Sequence, residues 1–136
     1  MTRLFIAIAI ALVSVGVAAV LSRRRQMVPT QGGTGIPQQL DRLDFDSAEK
    51  PWLVVVFTSR TCDSCVKAVS VAKFLASEAV AVQEVAWQDN KVLHERYVVD
   101  SVPCTLLVDA DGVVRESFIG ATVSSDVWGA LAKLRA

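Results

Sequence analysis

The chain has 136 residues and balances 14 lysines and arginines against 14 aspartates and glutamates. That length allows one compact domain and little else, and the balanced charge excludes a strong electrostatic pull toward nucleic acid or acidic substrates. The apolar share, 52%, is high for a soluble protein and unevenly spread along the chain.

Residues 4–21 carry no ionisable side chain, and only Ser14 and Gly16 interrupt the aliphatic and aromatic run. At about 1.5 Å per residue, such a helix rises about 27 Å, close to a hydrocarbon core of about 30 Å. A buried core helix would show a polar face, and this stretch has none. A cleaved signal peptide would find small residues at Gly16-Val17-Ala18, but its charged start would be only Arg3 and the amino terminus. The predicted element is a single N-terminal transmembrane helix, with residues 1–25 as a retained single-pass anchor and its basic flank. Arg23-Arg24-Arg25 outweigh Arg3, which points to a cell-membrane protein whose C-terminal domain is cytoplasmic rather than extracytoplasmic. The same arginines suit anionic lipid headgroups.

Residues 26–39 read as a flexible linker. Pro29, Gly32, Gly33, Gly35 and Pro37 leave few apolar side chains to build a core. About 14 such residues reach about 20 Å. The globular part is expected over 40–136, led in by Leu40, Leu43 and Phe45.

The continuous β-branched and aromatic run over 52–57 predicts a strand buried on both faces. A largely buried helix is expected over 62–77, with Val66, Val69, Val71, Phe74 and Leu75 inside. A second strand covers 80–87. Asn90 is a natural N-cap for a short helix ending at Tyr97. A third strand over 105–108 turns through Asp109-Ala110-Asp111-Gly112 into a hairpin partner over 113–119. The last helix, 124–134, carries Val127, Leu131 and Leu134 as its core stripe. The order β-α-β-α-β-β-α describes an α/β sandwich with the hairpin as its antiparallel edge. His94 reads as a solvated residue on a polar helix, and Trp52, Trp87 and Trp128 as core packing.

Two cysteines stand at the junction of the first buried strand and its helix: Cys62-Asp63-Ser64-Cys65. One helical turn brings their sulfurs within bonding reach. Backbone N–H groups at the helix start stabilise a thiolate at Cys62, the better nucleophile, while Cys65 lies one turn further in and can resolve a mixed disulfide. Zinc sites use the same spacing but need two more ligands, and only the unpaired Cys104 and His94 remain. Strand–CxxC–helix within a βαβ pattern favours redox chemistry.

Further on, Ser101-Val102-Pro103-Cys104-Thr105 stands just before a strand. Together with Cys62-x-x-Cys65 and the Asp111-Gly112 turn, this segment makes residues 40–136 resemble the thioredoxin family. The resemblance implies a three-layer α/β/α sandwich with a central mixed sheet. It implies a cis-proline at Pro103 lying against the dithiol, and a Val102 backbone free to pair with a substrate peptide. Catalytic roles fall to Cys62 as nucleophile and Cys65 as resolving thiol, and substrate binding to Val102 and Pro103.

The sequence departs from the family at several tuning positions. Thr61 replaces an aromatic residue, and Asp63 and Ser64 stand where glycine or proline is common. Asp63 puts a negative charge beside Cys62, which opposes the thiolate and makes the pair more reducing. Val56 takes the place of a buried aspartate used as a proton relay. Glu84 falls where the family has a strand lysine, and could supply the missing carboxylate. Arg60 and Lys67 flank the dithiol as surface charges, Arg60 being a candidate accessory group. Cys104 is either a small buried core residue or a third redox thiol.

The function implied is a membrane-tethered thiol–disulfide oxidoreductase with no cofactor and no metal. Its partners would be protein disulfides and dithiols, an electron donor or acceptor that the residues do not identify, and the lipid bilayer through residues 4–21, with no nucleic acid. Two other readings stay open. One is a non-catalytic thioredoxin-like binding or assembly module with a static disulfide. The other is a metal-binding protein built on Cys62, Cys65 and Cys104.

Overall fold

A computed structural model of the chain describes residues 1–25 and 35–136. Helix α1, Thr2–Arg25, comes first. Its side chains are described except for Arg3, Ala7 and residues 18–25, and the described apolar ones are exposed, Phe5 and Leu12 each by 68%. Among the described residues no helix is long and apolar enough to cross a membrane. The span expected over 4–21 is therefore not found. Of the linker expected over 26–39, residues 26–34 lie outside the described residues.

The domain starts earlier than the sequence suggests. Ile36 packs on the core, Pro37 is buried, and Gln39 forms a β-bridge with Val113. Leu40 and Phe45 enter the core, whereas Leu43, expected beside them, is 72% exposed on a 3₁₀ turn, Arg42–Asp44. Arg42 goes inside instead and donates to the carbonyls of Asp109 and Lys50, both at 2.9 Å. Burial pulls its guanidinium below the usual arginine range, against the pull of Asp109 and Glu49.

The sheet contains β1 (Trp52–Thr58), β2 (Val80–Ala86), β3 (Cys104–Val108) and β4 (Val114–Ile119), in the order β2-β1-β3-β4. β1 runs parallel to β2 and antiparallel to β3, so the sheet is mixed, and β3 pairs antiparallel with β4. Central β1 is buried on both faces because its alternating side chains serve two separate cores. Leu53, Val55 and Phe57 join Leu93, Tyr97 and Leu106 beneath α3 (Lys91–Arg96). Val54 and Val56 join Ala68, Ala72, Val127 and Leu131 beneath α2 (Asp63–Lys73) and α4 (Ser124–Arg135). Each large apolar side chain so enclosed contributes about 1.5–3 kcal/mol.

Helix α2 is shorter and more amphipathic than expected. It ends at Lys73 because the chain tightens: Leu75 N–H donates to Ala72 (2.9 Å), and Ser77 and Val80 bond each other to launch β2. Val66 and Phe74, expected inside, are 74% and 77% exposed. Phe74 meets the partly exposed Trp128 edge-on, while Trp52 packs on the α2–α4 core. In the hairpin, Gly112 adopts φ +82°, and a Cβ there would collide with the Leu40 carbonyl, so glycine is required. The Asp109 carboxylate ties the turn by accepting from Asp111 N–H (2.9 Å) and Val113 N–H (3.0 Å).

His94 is the largest correction to the sequence reading. It is 2% exposed, and its Nε2 lies 2.7 Å from the Val85 carbonyl. Phe57 and Trp87 meet its ring edge-on, with centroids at 5.0 and 5.4 Å. Asn90 caps α3 through Leu93 N–H (3.2 Å), as expected, and this sets the short helix so that Leu93, His94 and Tyr97 face inward. A polar-looking six-residue helix thus hides its histidine.

Candidate functional site

The site is built where β1 gives way to α2. Thr58 ends the strand, and its carbonyl accepts from Trp87 N–H (2.9 Å), holding the exit of β1 to the segment after β2. The Gln88 side chain fastens the loop that follows. It accepts from Arg60 N–H (3.1 Å), and its amide donates to Ser59 Oγ (3.1 Å). Cys62 then takes the N-cap position of α2 in extended conformation. Its sulfur is not used as a cap, and the Cys65 N–H donates to the Cys62 carbonyl (3.3 Å).

Cys62 and Cys65 are disulfide-bonded, with Cα atoms 5.4 Å apart. Cys62 is half-buried and Cys65 is 3% exposed on the inner face of α2. This asymmetry leaves one sulfur for an incoming partner and one behind it. The Ser64 hydroxyl lies 3.5 Å from Cys62 Sγ. Arg60 lines the same cleft as the dithiol but pairs with Asp89, and Lys67 is exposed.

β3 brings the second segment to the same end of the sheet, since Cys104 pairs in register with Phe57. The Val102–Pro103 peptide just before it is cis. Pro103 is buried and its carbonyl accepts from Gly120 N–H (2.9 Å). Among the described residues, neither backbone group of Val102 has a hydrogen-bond partner.

Two clefts meet at Ser59. One, of about 480 Å³, lies along α2 and is lined by Cys62, Cys65, Val69, Lys73 and Glu84. The other, of about 570 Å³, lies on the α3 side and is lined by Trp87, His94, Val98, Val99 and Val102. Glu84 stands opposite Val56 on β2, and its Oε1 accepts from the Thr58 hydroxyl at 2.8 Å. The structure thus brings Glu84 into the dithiol cleft while leaving it exposed.

Cys104 is not brought into that cleft. It is fully buried in the layer beneath α3, with Phe57, Leu106 and Val108. Burial, and then the negative charge of Asp100, push its thiol up to about 12. Among the described residues no group of three or more His, Cys, Asp or Glu is placed to hold a metal. Next to Val56, the Thr105 hydroxyl is buried without a partner.

The sequence reading missed Thr58, Ser59 and Gln88. Thr58 was legible from strand parity, since it shares a face with Val54 and Val56. Gln88 carried no comparable signal, because its role depends on how the segment after β2 folds back.

With this geometry in hand, the chain is similar to solved thioredoxins. A point mutant of thioredoxin from Halobacterium salinarum matches with a TM-score of 0.58 and 21% identity, over 70% of this chain and 85% of that one. The germline-specific thioredoxin Deadhead from Drosophila melanogaster matches with a TM-score of 0.57 and 27% identity, over 68% and 88%. A malarial protein matches with a TM-score of 0.52 and 17% identity, over 62% and 97%. No family model and no curated protein sequence matches the chain. The fold is thioredoxin-like, with a central mixed four-stranded sheet and a close cysteine pair.

Proposed function

We propose that this thioredoxin-like domain is a thiol–disulfide oxidoreductase acting on protein disulfides and dithiols. The observation that carries the reading is the bonded Cys62–Cys65 pair at a strand–helix junction, with one sulfur accessible and the other enclosed. An external dithiol donor first reduces the pair, taking the disulfide onto itself. The Cys62 thiolate then attacks a substrate disulfide. The substrate S–S bond breaks, one thiolate leaves, and a mixed disulfide forms at Cys62. Cys65, as thiolate, attacks Cys62 Sγ, releases the second substrate thiol and restores the Cys62–Cys65 bond. Two electrons pass from donor to substrate in each cycle.

Val102 and Pro103 bind the substrate in this reading, the unpaired Val102 backbone adding the peptide as an extra strand. Glu84 takes the proton of Cys65 from within the shared cleft, with Thr58 holding the carboxylate. Arg60, already paired with Asp89, adds only a screened field, and Cys104 stays outside the cycle.

We further propose that the domain is tethered to a bilayer through residues 4–21 and faces the cytoplasm. The uncharged run, the exposed apolar side chains of α1 and the arginines at 23–25 support this. In a reducing compartment such a domain runs as a reductase.

The test is dithiol-dependent reduction of a protein disulfide by the full chain. Turnover with a cycling Cys62–Cys65 pair is expected. A pair that never cycles with any dithiol donor makes the domain a static binding module instead. Recovery in the alkaline-carbonate-resistant membrane fraction, with cysteines labelled by an impermeant reagent only after lysis, is expected for the tether. Release by carbonate, or labelling on intact cells, overturns it.

A further inference from the structure

The exchange cycle leaves one buried polar atom near the dithiol unused. Thr105 is 2% exposed, and its hydroxyl finds no partner among the described residues. Strand register fixes its place. Thr105 stands opposite Val56 on β1 and opposite Phe118 on β4, while Val56 stands opposite Glu84 on β2. Directly opposed residues share a face of a sheet, so Glu84, Val56, Thr105 and Phe118 form one row beneath α2. Val56 and Phe118 pack there with Ala68 and Val69.

Helix α2 begins just past the end of β1 and turns Cys65, Ala68 and Ala72 inward. Cys65 comes first of the three, so it covers the layer near the end of β1, where this row crosses. A valine at 105 would fill the same space and suit a strand equally well, without an unpaired hydroxyl. Glu84 lies across Val56 from Thr105, and its Oε1 is already bonded by the Thr58 hydroxyl. The enclosed Cys65 sulfur is different, because its bonding changes with redox state. In the oxidised pair it is tied to Cys62 and gives the Thr105 hydroxyl no hydrogen bond. Once reduced, it is free to turn and to accept an O–H, most strongly as a thiolate.

We propose that Thr105 is a redox-dependent hydrogen-bond donor to Cys65: its hydroxyl is unpaired in the disulfide form and bonds the freed Cys65 sulfur in the dithiol form. The hydroxyl thereby favours the dithiol and steadies Cys65 as the thiolate that resolves the mixed disulfide. The inference rests on the oxidoreductase reading, since it matters only to a pair that cycles.

The test equilibrates the full-length protein with dithiothreitol buffers and counts trapped thiols by mass. Dithiothreitol passes two electrons and two protons to the pair. Its own ring disulfide forms as the Cys62–Cys65 bond breaks to two thiols. Thr105→Val should lower the equilibrium constant for reduction about tenfold, which is about 30 mV toward the more reducing side. Thr105→Ser, which keeps the hydroxyl, should stay within about twofold of the parent protein. Thr105→Val should also raise the melting temperature of the oxidised protein, by removing an unpaired hydroxyl, and bring no gain to the reduced one. An unchanged equilibrium constant in Thr105→Val, a serine variant that behaves like the valine, or equal melting shifts in both redox forms overturns the Thr105 inference alone. A parent protein whose pair no dithiothreitol concentration reduces overturns the oxidoreductase reading and this one with it.

Discussion

Cys65 and Cys104 stand near the same end of the sheet and are almost equally buried, at 3% and 0% exposure. Cys65 lies one turn into α2, bonded to the accessible Cys62, in a cleft that also holds Lys73 and Glu84. Cys104 points to the opposite face, among Phe57, Leu106 and Val108, where burial and then Asp100 hold it protonated. Equal burial thus gives opposite chemistry. A helix start supplies N–H groups and solvent access to one pair, while a strand interior gives the third thiol only apolar neighbours.

The widest separation between the two is in turnover. Cys62→Ser should lower disulfide reduction at least about a thousandfold, whereas Cys104→Ala should leave the rate within about twofold and cost about 1 kcal/mol of stability in a urea titration. A dead but folded Cys104→Ala protein would break the division between the faces. Next in size, His94→Ala should cost about 3 kcal/mol, because it opens a cavity beneath Trp87 and strands the Val85 carbonyl. A loss below about 1 kcal/mol would mean that the layer beneath α3 repacks easily.

The alkaline limb sharpens the contrast. The Cys104 thiol titrates at 9.0 when unconstrained and at about 12 in the fold, so the unfolded chain loses its proton first. Its stabilising contribution is complete below about pH 9 and declines as pH rises toward about 12. One such group gives a slope of about 1.4 kcal/mol per pH unit. Tyr97, raised by burial and by its bond to Asp44, adds to the loss over part of that range. Cys104→Ala should remove one proton's share of the slope in pH-dependent melts, and an unchanged slope would show that the thiol is not sealed. Glu84→Gln probes the dithiol side of the comparison. About a tenfold drop in kcat is expected, together with loss of the acidic limb of its pH profile, since only a proton-transferring carboxylate would move that limb. A profile of unchanged shape would confine Glu84 to bonding Thr58.

Much of this was legible in the chain. The apolar run over 52–57 implied a central strand, because only a strand serving two cores needs no polar face. The CxxC and Val102-Pro103 segments implied the site because their places on strand ends are local. What the sequence hid depended on tertiary register. His94 looked solvated because a six-residue helix has too few turns to declare its inner face. Val66 and Phe74 looked buried because an apolar side chain does not state which side of α2 it is on. Gln88 became a loop fastener only when β2 placed it beside Ser59 and Arg60. The start of the domain was misplaced because proline and glycine near residue 36 resemble a linker, although Ile36 packs on the core.

The segment around Gln39 has one more consequence. Val114 N–H bonds the Gln38 carbonyl (3.0 Å) and Leu40 N–H the Gly112 carbonyl (2.8 Å), so these residues sheathe the outer side of β4 where it begins. Further along, the strand presents the charged Arg115 and Glu116 instead. An unpaired strand edge is a template for self-association, and here it is closed partly by a strap and partly by charge. A chain trimmed to begin at Asp41 would keep the dithiol and every helix behind it, yet would bare that margin to a second copy of itself.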